Sequence, residues 1–215
     1  MSRSFTLLIS SGALLLVGML FLTLIGGNRT TTSMPSRSPV ADNLAVLGEV
    51  GAFSLTNQAG ERVMREDLLG RPWAANLIFT RCPGPCTQMS GVMRSIQNAI
   101  PPGSSARLIS LTSDPEYDLP SVLSAYASRH QADAARWSFL TGSKSEIRRL
   151  VTQGLLTVLQ DKPENLRESE EDLFLHSTLI IGVDRKGRVR AAVEGLSSGA
   201  SARVVEILRR LGEEE

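Results

Sequence analysis

Two cysteines, Cys82 and Cys86, are the residues whose type and spacing point most directly to chemistry. They are the only cysteines in the sequence, and three residues separate them. An apolar run over 73–80 precedes them, and apolar residues at helical spacing follow, which predicts a strand leading into a helix. A helix start offers unpaired N–H groups and the positive end of the macrodipole, and both favour a thiolate. We therefore expect redox exchange or soft-metal binding here, with a thiol pKa below its usual value of about 8.5.

The loop between the two cysteines bears on which of these chemistries is favoured. Pro83 and Pro85 fix φ and remove N–H donors, so the loop is stiff. A stiff pair of sulfurs suits a metal clip, although a disulfide between them stays sterically open. Thiolates select Cu(I) over hard cations, and imidazole is also a copper ligand. Zinc, by contrast, takes four ligands, or three and an open position.

The chain has two histidines that could join such a site, His130 and His176. His130 lies at the end of a predicted helix, and we interpret it as a surface residue or one at the helix C-terminus. His176 directly precedes an apolar strand, where a lone histidine is more often structural. A thiol pair between a buried strand and its helix is the thioredoxin-like arrangement, and in folds of that kind the segment entering this strand lies beside the cysteine loop. The thiol pair therefore makes His176 the candidate third ligand.

Alternating strand and helix patterns predict the elements that position these residues. The predicted strands are a hairpin around the turn 57–60, buried strands over 73–80 and 107–112, a strand over 155–159, and a second hairpin around the turn 184–187. Helices are predicted after Cys86, after Asp118 as N-cap, after Ser143 with Gly154 as the stop, and before Gly212. This order is α/β and predicts a central sheet flanked by helices. Together with a thiol pair between the first long buried strand and its helix, it indicates a thioredoxin-like fold by analogy.

The N-terminal part of the chain has a different composition. Residues 5–25 carry no charge and are rich in Leu, and about 20 apolar residues span a hydrocarbon core of about 30 Å. We predict a transmembrane anchor over 1–26, a flexible tether rich in Gly, Thr, Ser and Pro over 27–46, and a globular domain over 47–212. A cleaved secretory signal is the alternative interpretation of the apolar segment.

Composition and charge limit the remaining classes. The 215 residues are 42% hydrophobic and 21% charged, which is typical of a packed protein. The formal net charge is +1, and the arginines are scattered along the chain. We therefore expect no nucleic-acid partner.

Several blocks of the sequence resemble the Sco/SenC family of copper chaperones. These blocks are FTRCPGPC over 79–86 with Met89, SLTSDPEYD over 110–118, WSFLTG over 137–142, HST over 176–178 and DRKGR over 184–188. The resemblance runs in order from Leu47 to Leu211. Two positions depart from the family pattern: Thr87 stands where proline is common, and Tyr117 where arginine is common.

The resemblance implies a thioredoxin-like, extracytoplasmic domain that binds copper, as Cu(I) or Cu(II), through Cys82, Cys86 and His176. The implied task is assembly of the binuclear copper centre of cytochrome c oxidase, by copper delivery to the copper-bearing subunit, by reduction of that subunit's cysteines, or both. A thioredoxin-like reductant is a further implied partner. Asp114 lies in the family's Asp-Pro-Glu block, where it either supports the site or partner docking, or caps the turn before Pro115.

Two other interpretations of the cysteines stay open at this point. The chain could be an extracytoplasmic thiol–disulfide oxidoreductase that uses Cys82 and Cys86 as catalytic residues on partner cysteines. Alternatively, the pair could form a structural disulfide in an exported binding module. So short a loop gains little chain entropy from closure, which argues against the structural disulfide.

Overall fold

The computed structural model describes residues 44–82, 84–167 and 173–214, except for the side chains of residues 175 and 176. Its strands are β1 (Gly48–Glu49), β2 (Ser54–Asn57), β3 (Arg62–Met64), β4 (Trp73–Ile78), β5 (Arg107–Thr112), β6 (Trp137–Thr141), β7 (Leu159–Asp161), β8 (Phe174–His176), β9 (Leu179–Val183) and β10 (Arg188–Glu194). Its α-helices are α1 (Arg65–Leu68), α2 (Pro85–Ala99), α3 (Pro120–Arg129), α4 (Lys144–Arg149), which continues into a π-turn over Leu150–Gly154, and α5 (Ala200–Glu213). A short 3-10 helix covers Glu164–Leu166.

In this part of the chain, the strands form one large sheet and one small one. The large sheet has eight strands in the order β1-β10-β9-β4-β5-β6-β2-β3, and β7 pairs with β8 separately. Strands β4, β5 and β6 are parallel, whereas β9 runs antiparallel to β4. The carboxyl ends of β4 and β5 therefore lie at the same edge of the sheet as the start of β9. We call this edge the thiol end, and the opposite edge, where the turn 184–187 joins β9 to β10, the hairpin end.

The central strands are buried on both faces. All six residues of β4 are buried, as expected for a strand with helices above and below it. One apolar cluster, which includes Met89, Met93 and Leu208, packs α2 and α5 against the sheet. A second cluster, which includes Ile147 and Leu150, packs α4 on the other face. The sheet is thus held rigidly between two apolar cores, and the loop that carries Cys82 and Cys86 lies at its thiol end.

Most of the sequence-based predictions are confirmed. The hairpin of β2 and β3, the strands β4 and β5 and the hairpin of β9 and β10 all form where predicted. The hydroxyl of Ser143 accepts a hydrogen bond from the N–H of Glu146 and caps α4. The π-turn ends at Gly154 and α5 ends one residue after Gly212. The prediction of an α/β fold with helices on both faces of a sheet is therefore correct.

Two local predictions are wrong, and the structure supplies the reasons. Asp118 does not cap α3: Leu119 is the N-cap residue, and the Asp118 carboxylate faces other partners, described below. The strand predicted over 155–159 begins only at Leu159, because the chain leaves the π-turn through Leu156 with φ at +54°. Strands β1, β6 and β8 were not predicted as elements.

The predicted anchor over 1–26 and most of the predicted tether lie outside the described residues. Among the residues that the structure does describe, no helix combines the length and the apolar character needed to cross a membrane.

Candidate metal and thiol site

The two cysteines lie at the thiol end, on the segment that connects β4 to α2. Both are in the dithiol form; Cys86 is fully buried and Cys82 is half-buried. The N–H of Cys86, in the first turn of α2, donates to the Sγ of Cys82 over 3.5 Å. The positive end of the helix therefore acts on the sulfur of Cys82, which is also the more accessible of the two.

Cys86 departs from the expectation of a lowered thiol pKa at the helix start. Its hydrogen bond to Cys82 and, next, its burial raise the pKa of the Cys86 thiol above the usual value. A buried thiol keeps its proton because a thiolate would lose its hydration. The expectation is therefore wrong for Cys86, and the two sulfurs differ in their surroundings: Cys82 accepts the helix N–H, while the pKa of the Cys86 thiol is raised.

The residue two positions before Cys82 is tied to a buried carboxylate. The N–H of Thr80 donates to Asp118 Oδ2 over 3.1 Å, and its hydroxyl donates to Asp118 Oδ1 over 2.5 Å. The hydroxyl of Thr112, the last residue of β5, donates to Asp118 Oδ2 over 2.5 Å. Asp118 thus joins the end of β4 to the end of β5. Burial raises the pKa of its carboxyl, and the hydrogen bonds from Thr112 and Thr80 act against that rise.

The residue next to Cys82 is held by the same loop. A guanidinium nitrogen of Arg81 lies 2.5 Å from Asp114 Oδ2, and the guanidinium carbon lies 4.2 Å from the centre of the Tyr117 ring. The carbonyl of Asp114 also accepts from the N–H groups of Tyr117 and Asp118. Tyr117, one of the two residues that depart from the family pattern, is therefore a cation–π partner of Arg81 at the rim of the site.

The first turn of α2 has a further support from α3. The hydroxyl of Tyr126 lies 2.9 Å from the hydroxyl of Ser90 and donates to the carbonyl of Cys86 over 3.4 Å. Burial, the largest cause, raises the pKa of Tyr126 to about 12. Tyr126 therefore stays a neutral donor to the first turn of α2.

The segment that carries His176 is anchored on both sides near the thiol loop. Upstream, the ring of Phe174 packs edge-on against that of Phe79, with 5.4 Å between the centroids. Downstream, the carbonyl of Thr178 accepts from the N–H of Gly195, and a Cβ built on Gly195 would lie 2.5 Å from the Sδ of Met89 in α2. The backbone of His176 pairs with that of Leu159 in the small sheet.

His130 is confirmed as a helix-end residue. It is the C-cap of α3, and its ring packs 4.4 Å from that of Tyr126. Burial and then Arg129 and Arg94 lower the pKa of its imidazole. Among the described side chains, no three His, Cys, Asp or Glu residues converge as a metal site.

Sequence reasoning missed Thr80, Thr112 and Tyr126 as residues of this site and misassigned Asp118. A hydroxyl at each of the two parallel strand ends was the available signal, since Thr80 follows β4 and Thr112 ends β5. Carboxyl ends of neighbouring parallel strands meet at one edge, where polar side chains converge.

Known proteins resemble this chain in sequence and in structure. The family model described as SCO1/SenC matches residues 44–212. A SCO1 protein homolog of Bacillus subtilis is 32% identical over 152 residues, which is 70% of this chain and 76% of the relative. Solved structures are also similar, and two of them serve as examples. BsSco is described as a member of the Sco family of cytochrome c oxidase assembly proteins with a disulfide switch. It has 27% identity, a TM-score of 0.69, and coverage of 80% of this chain and 99% of that one. Bradyrhizobium japonicum ScoI with copper bound has 25% identity, a TM-score of 0.59 and coverage of 78% and 99%.

Proposed function

Since this chain belongs to the SCO1/SenC family, we propose that it is a copper-binding protein that serves the assembly of cytochrome c oxidase. Cys82 and Cys86 supply two thiolate ligands, and His176 supplies an imidazole. Support for copper comes from the relative that was solved with copper bound, and support for the assembly role comes from the description of BsSco.

The observation that carries this proposal is the pair of reduced sulfurs at a helix start. Cys82 and Cys86 together form a dithiol, with no disulfide between them, and thiolate ligands favour Cu(I) over hard cations. The segment of His176 is held near the thiol end on both sides, by the Phe79–Phe174 contact before it and by the hydrogen bond to Thr178 after it. This placement favours His176 as the third ligand. Because Cys86 must lose a proton to become a ligand and its pKa is raised, the affinity for copper increases with pH.

The proposal includes a location and partners. Residues 1–26 anchor the protein in a membrane, residues 27–46 act as a tether, and the domain faces the extracytoplasmic side. The partners are the copper-bearing subunit of cytochrome c oxidase and a thioredoxin-like reductant. The reductant converts a Cys82–Cys86 disulfide back into two thiols. These partners complete the chemistry, because oxidised cysteines cannot serve as thiolate ligands.

A second candidate function is thiol–disulfide exchange on partner cysteines. The observation that favours it is the asymmetry of the pair, with Cys82 half-buried and Cys86 buried. Cys82 as thiolate would attack a partner disulfide and form a mixed disulfide, releasing one partner thiolate. Cys86 would then displace the second partner sulfur, leaving a Cys82–Cys86 disulfide and a reduced partner. The two electrons come from this chain and are restored by the thioredoxin-like reductant.

Anaerobic competition for Cu(I) against a chelator of known affinity tests the proposal on the full chain in detergent. We expect one tightly bound Cu(I), weakened in Cys82→Ser, Cys86→Ser and His176→Ala. His130→Ala is the matched control, because His130 is a helix C-cap in α3, and it should bind as the original chain does. Full retention of affinity in His176→Ala would remove the third ligand. Catalytic reduction of a small disulfide without Cu(I) binding would favour the second function, and a permanent, inert disulfide would leave only the structural role.

A further inference from the structure

The strongest unassigned feature near the cysteines is the side chain of Asp118. It is completely buried, and both of its oxygens are used. Thr80 donates to it twice, from the backbone and from the hydroxyl, and Thr112 donates once. All of these described donors are neutral, and the nearby cation Arg81 forms its ion pair with Asp114.

A buried carboxylate with neutral donors is costly, because ionised groups lose hydration on burial. An amide or a hydroxyl could have bridged the two strand ends at a lower cost. Hydrogen bonds to an ionised acceptor are, however, shorter and about twice as strong as neutral ones. The carboxylate therefore holds Thr80 more firmly than an uncharged side chain could.

The position of Asp118 is itself fixed from the other side. Its N–H donates to the carbonyl of Asp114 over 2.8 Å, and the N–H of Asp114 donates to the hydroxyl of Thr112 over 2.9 Å. Thr112 belongs to β5, which pairs along its whole length with β4. The position of Asp118 is thus fixed relative to the rigid sheet, whereas Thr80 lies beyond the last residue of β4.

The constraint on Thr80 reaches Cys82 over a short path. The N–H of Cys82 donates to the carbonyl of Phe79 over 3.2 Å, which closes a turn around Thr80 and Arg81. A shift of Thr80 would therefore move the Cys82 sulfur relative to Cys86, whose helix is held separately through Ser90 and Tyr126.

We propose that Asp118 is a positioning residue that, through Thr80, sets the geometry of the Cys82–Cys86 pair and thereby its copper affinity and its dithiol–disulfide equilibrium. The copper part rests on the proposed function; the equilibrium part holds for any thiol chemistry of the pair. Asp118 touches neither metal nor substrate in this role.

Four variants of the full chain test this inference. Thr80→Val removes the hydroxyl bond but keeps the shape, and Thr80→Ser restores the hydroxyl. Asp118→Asn removes the charge. Glu116→Gln is the matched control, since it removes a carboxylate from an exposed position in the same loop. Two quantities are measured on each: the Cu(I) dissociation constant by chelator competition, and the equilibrium constant of the cysteine pair in glutathione buffers.

Residues that hold a metal ligand in place typically contribute about 10–100-fold to the affinity for the metal. We expect Asp118→Asn to weaken Cu(I) binding within that range and Thr80→Val to weaken it about tenfold. Both variants should move the cysteine equilibrium constant about tenfold, or about 30 mV. Thr80→Ser and Glu116→Gln should match the original chain in both quantities.

The outcomes separate this inference from the proposed function. If the original chain binds no Cu(I), the proposed function fails, and the equilibrium constants still decide the role of Asp118. If Asp118→Asn and Thr80→Val lower the unfolding temperature but bind Cu(I) and equilibrate like the original chain, Asp118 is only structural and the inference is overturned. If Asp118→Asn does not fold, Thr80→Val against Thr80→Ser decides.

Discussion

The two ends of the sheet each contain a buried aspartate, and the two are handled in opposite ways. Asp118 at the thiol end is 0% exposed, and Asp184 at the hairpin end is 2% exposed. Asp118 is bound by neutral donors. Asp184 Oδ2 lies 2.7 Å from the Nε of Arg188 and 2.9 Å from Nη1 of Arg190, which is itself buried.

The pKa values of the two carboxyls follow from these surroundings. Burial raises the pKa of Asp118, and its hydrogen bonds do not reverse the effect. Burial also acts to raise the pKa of Asp184, but the N–H of Arg188 and the guanidinium groups of Arg190 and Arg188 outweigh it, so the pKa is lowered. The hairpin end thus neutralises its charge and stabilises the fold. The thiol end places a buried carboxyl with a raised pKa beside its cysteines, which is typical of functional sites.

The largest expected effect comes from breaking the pair at the hairpin end. Asp184→Asn keeps the acceptor for the turn N–H groups of Lys186 and Arg188 but leaves the buried Arg190 without its buried counter-charge. We expect the free energy of unfolding in urea to fall by about 3 kcal/mol, at the lower end of such losses because Glu214 still contacts Arg190. Cu(I) affinity should not change. If Asp184→Asn also lost Cu(I) affinity, the two ends of the sheet would not be independent.

An added methyl group at the thiol end should have a smaller effect on stability. A Cβ at Gly195 would lie 2.5 Å from the Sδ of Met89 and 2.8 Å from the carbonyl oxygen of Thr178. We expect Gly195→Ala to lower the free energy of unfolding by about 1–3 kcal/mol and to weaken Cu(I) binding, because Thr178 anchors the segment of His176.

Gly91→Ala is the matched control for that variant. Gly91 lies in α2, and a Cβ there meets nothing within 4 Å. Alanine is favoured over glycine in a helix interior by about 1 kcal/mol, so this variant should gain stability and bind copper unchanged. Equal losses in both glycine variants would rule out the close approach at Gly195 as the cause.

The pH dependence should distinguish the two aspartates by sign. Because the pKa of Asp184 is lowered, its stabilisation is complete above the unfolded value of about 3.9 and is lost as the pH falls through the folded value. The pKa of Asp118 is raised. Ionisation of this carboxyl therefore lowers the stability of the fold as the pH rises from about 3.9, the unfolded value, through the folded value.

Urea unfolding of the original chain, Asp184→Asn and Asp118→Asn between about pH 3 and about pH 7 measures these slopes. As the pH falls, the stability of the original chain should decrease relative to Asp184→Asn and increase relative to Asp118→Asn. Slopes of the same sign would contradict the contrast between the two ends.

The smallest effect is expected for an exposed ion pair at the hairpin end. Arg65 Nη2 lies 2.8 Å from Glu49, whose side chain is 67% exposed. Glu49→Gln should change the free energy of unfolding by less than about 1 kcal/mol, and less still at high salt. A loss as large as that of Asp184→Asn would mean that burial does not explain the difference between the pairs.

Local patterns predicted the parts of the fold that depend on neighbouring residues. The strands β4 and β5 and the helix α2 follow from apolar periodicity, and the turn 184–187 follows from its polar residues and Gly187. Asp118 was misassigned because its position two residues before Pro120 resembles an N-cap. Its actual partner Thr80 is 38 residues away in sequence, and no local pattern contains that contact.

The cysteines themselves were identified from type and spacing, but their inequivalence was not. Burial of Cys86 depends on α2 packing against the sheet, and the N–H that reaches Cys82 depends on where the helix begins. The strand β6 was overlooked because its pairing with β5, rather than its short sequence, defines it. Ligation by Cys82, Cys86 and His176 stays a prediction.

The guanidinium of Arg190 also has a practical consequence. It donates to the carbonyl of Leu44 and to the carboxylate of Glu214, so these two residues meet at the hairpin end. The six residues of β4 separate this corner from the thiols by about 20 Å. An electrode or sensor surface coupled at this corner would leave the thiol end of the sheet facing solution, which suits voltammetry of the cysteine pair.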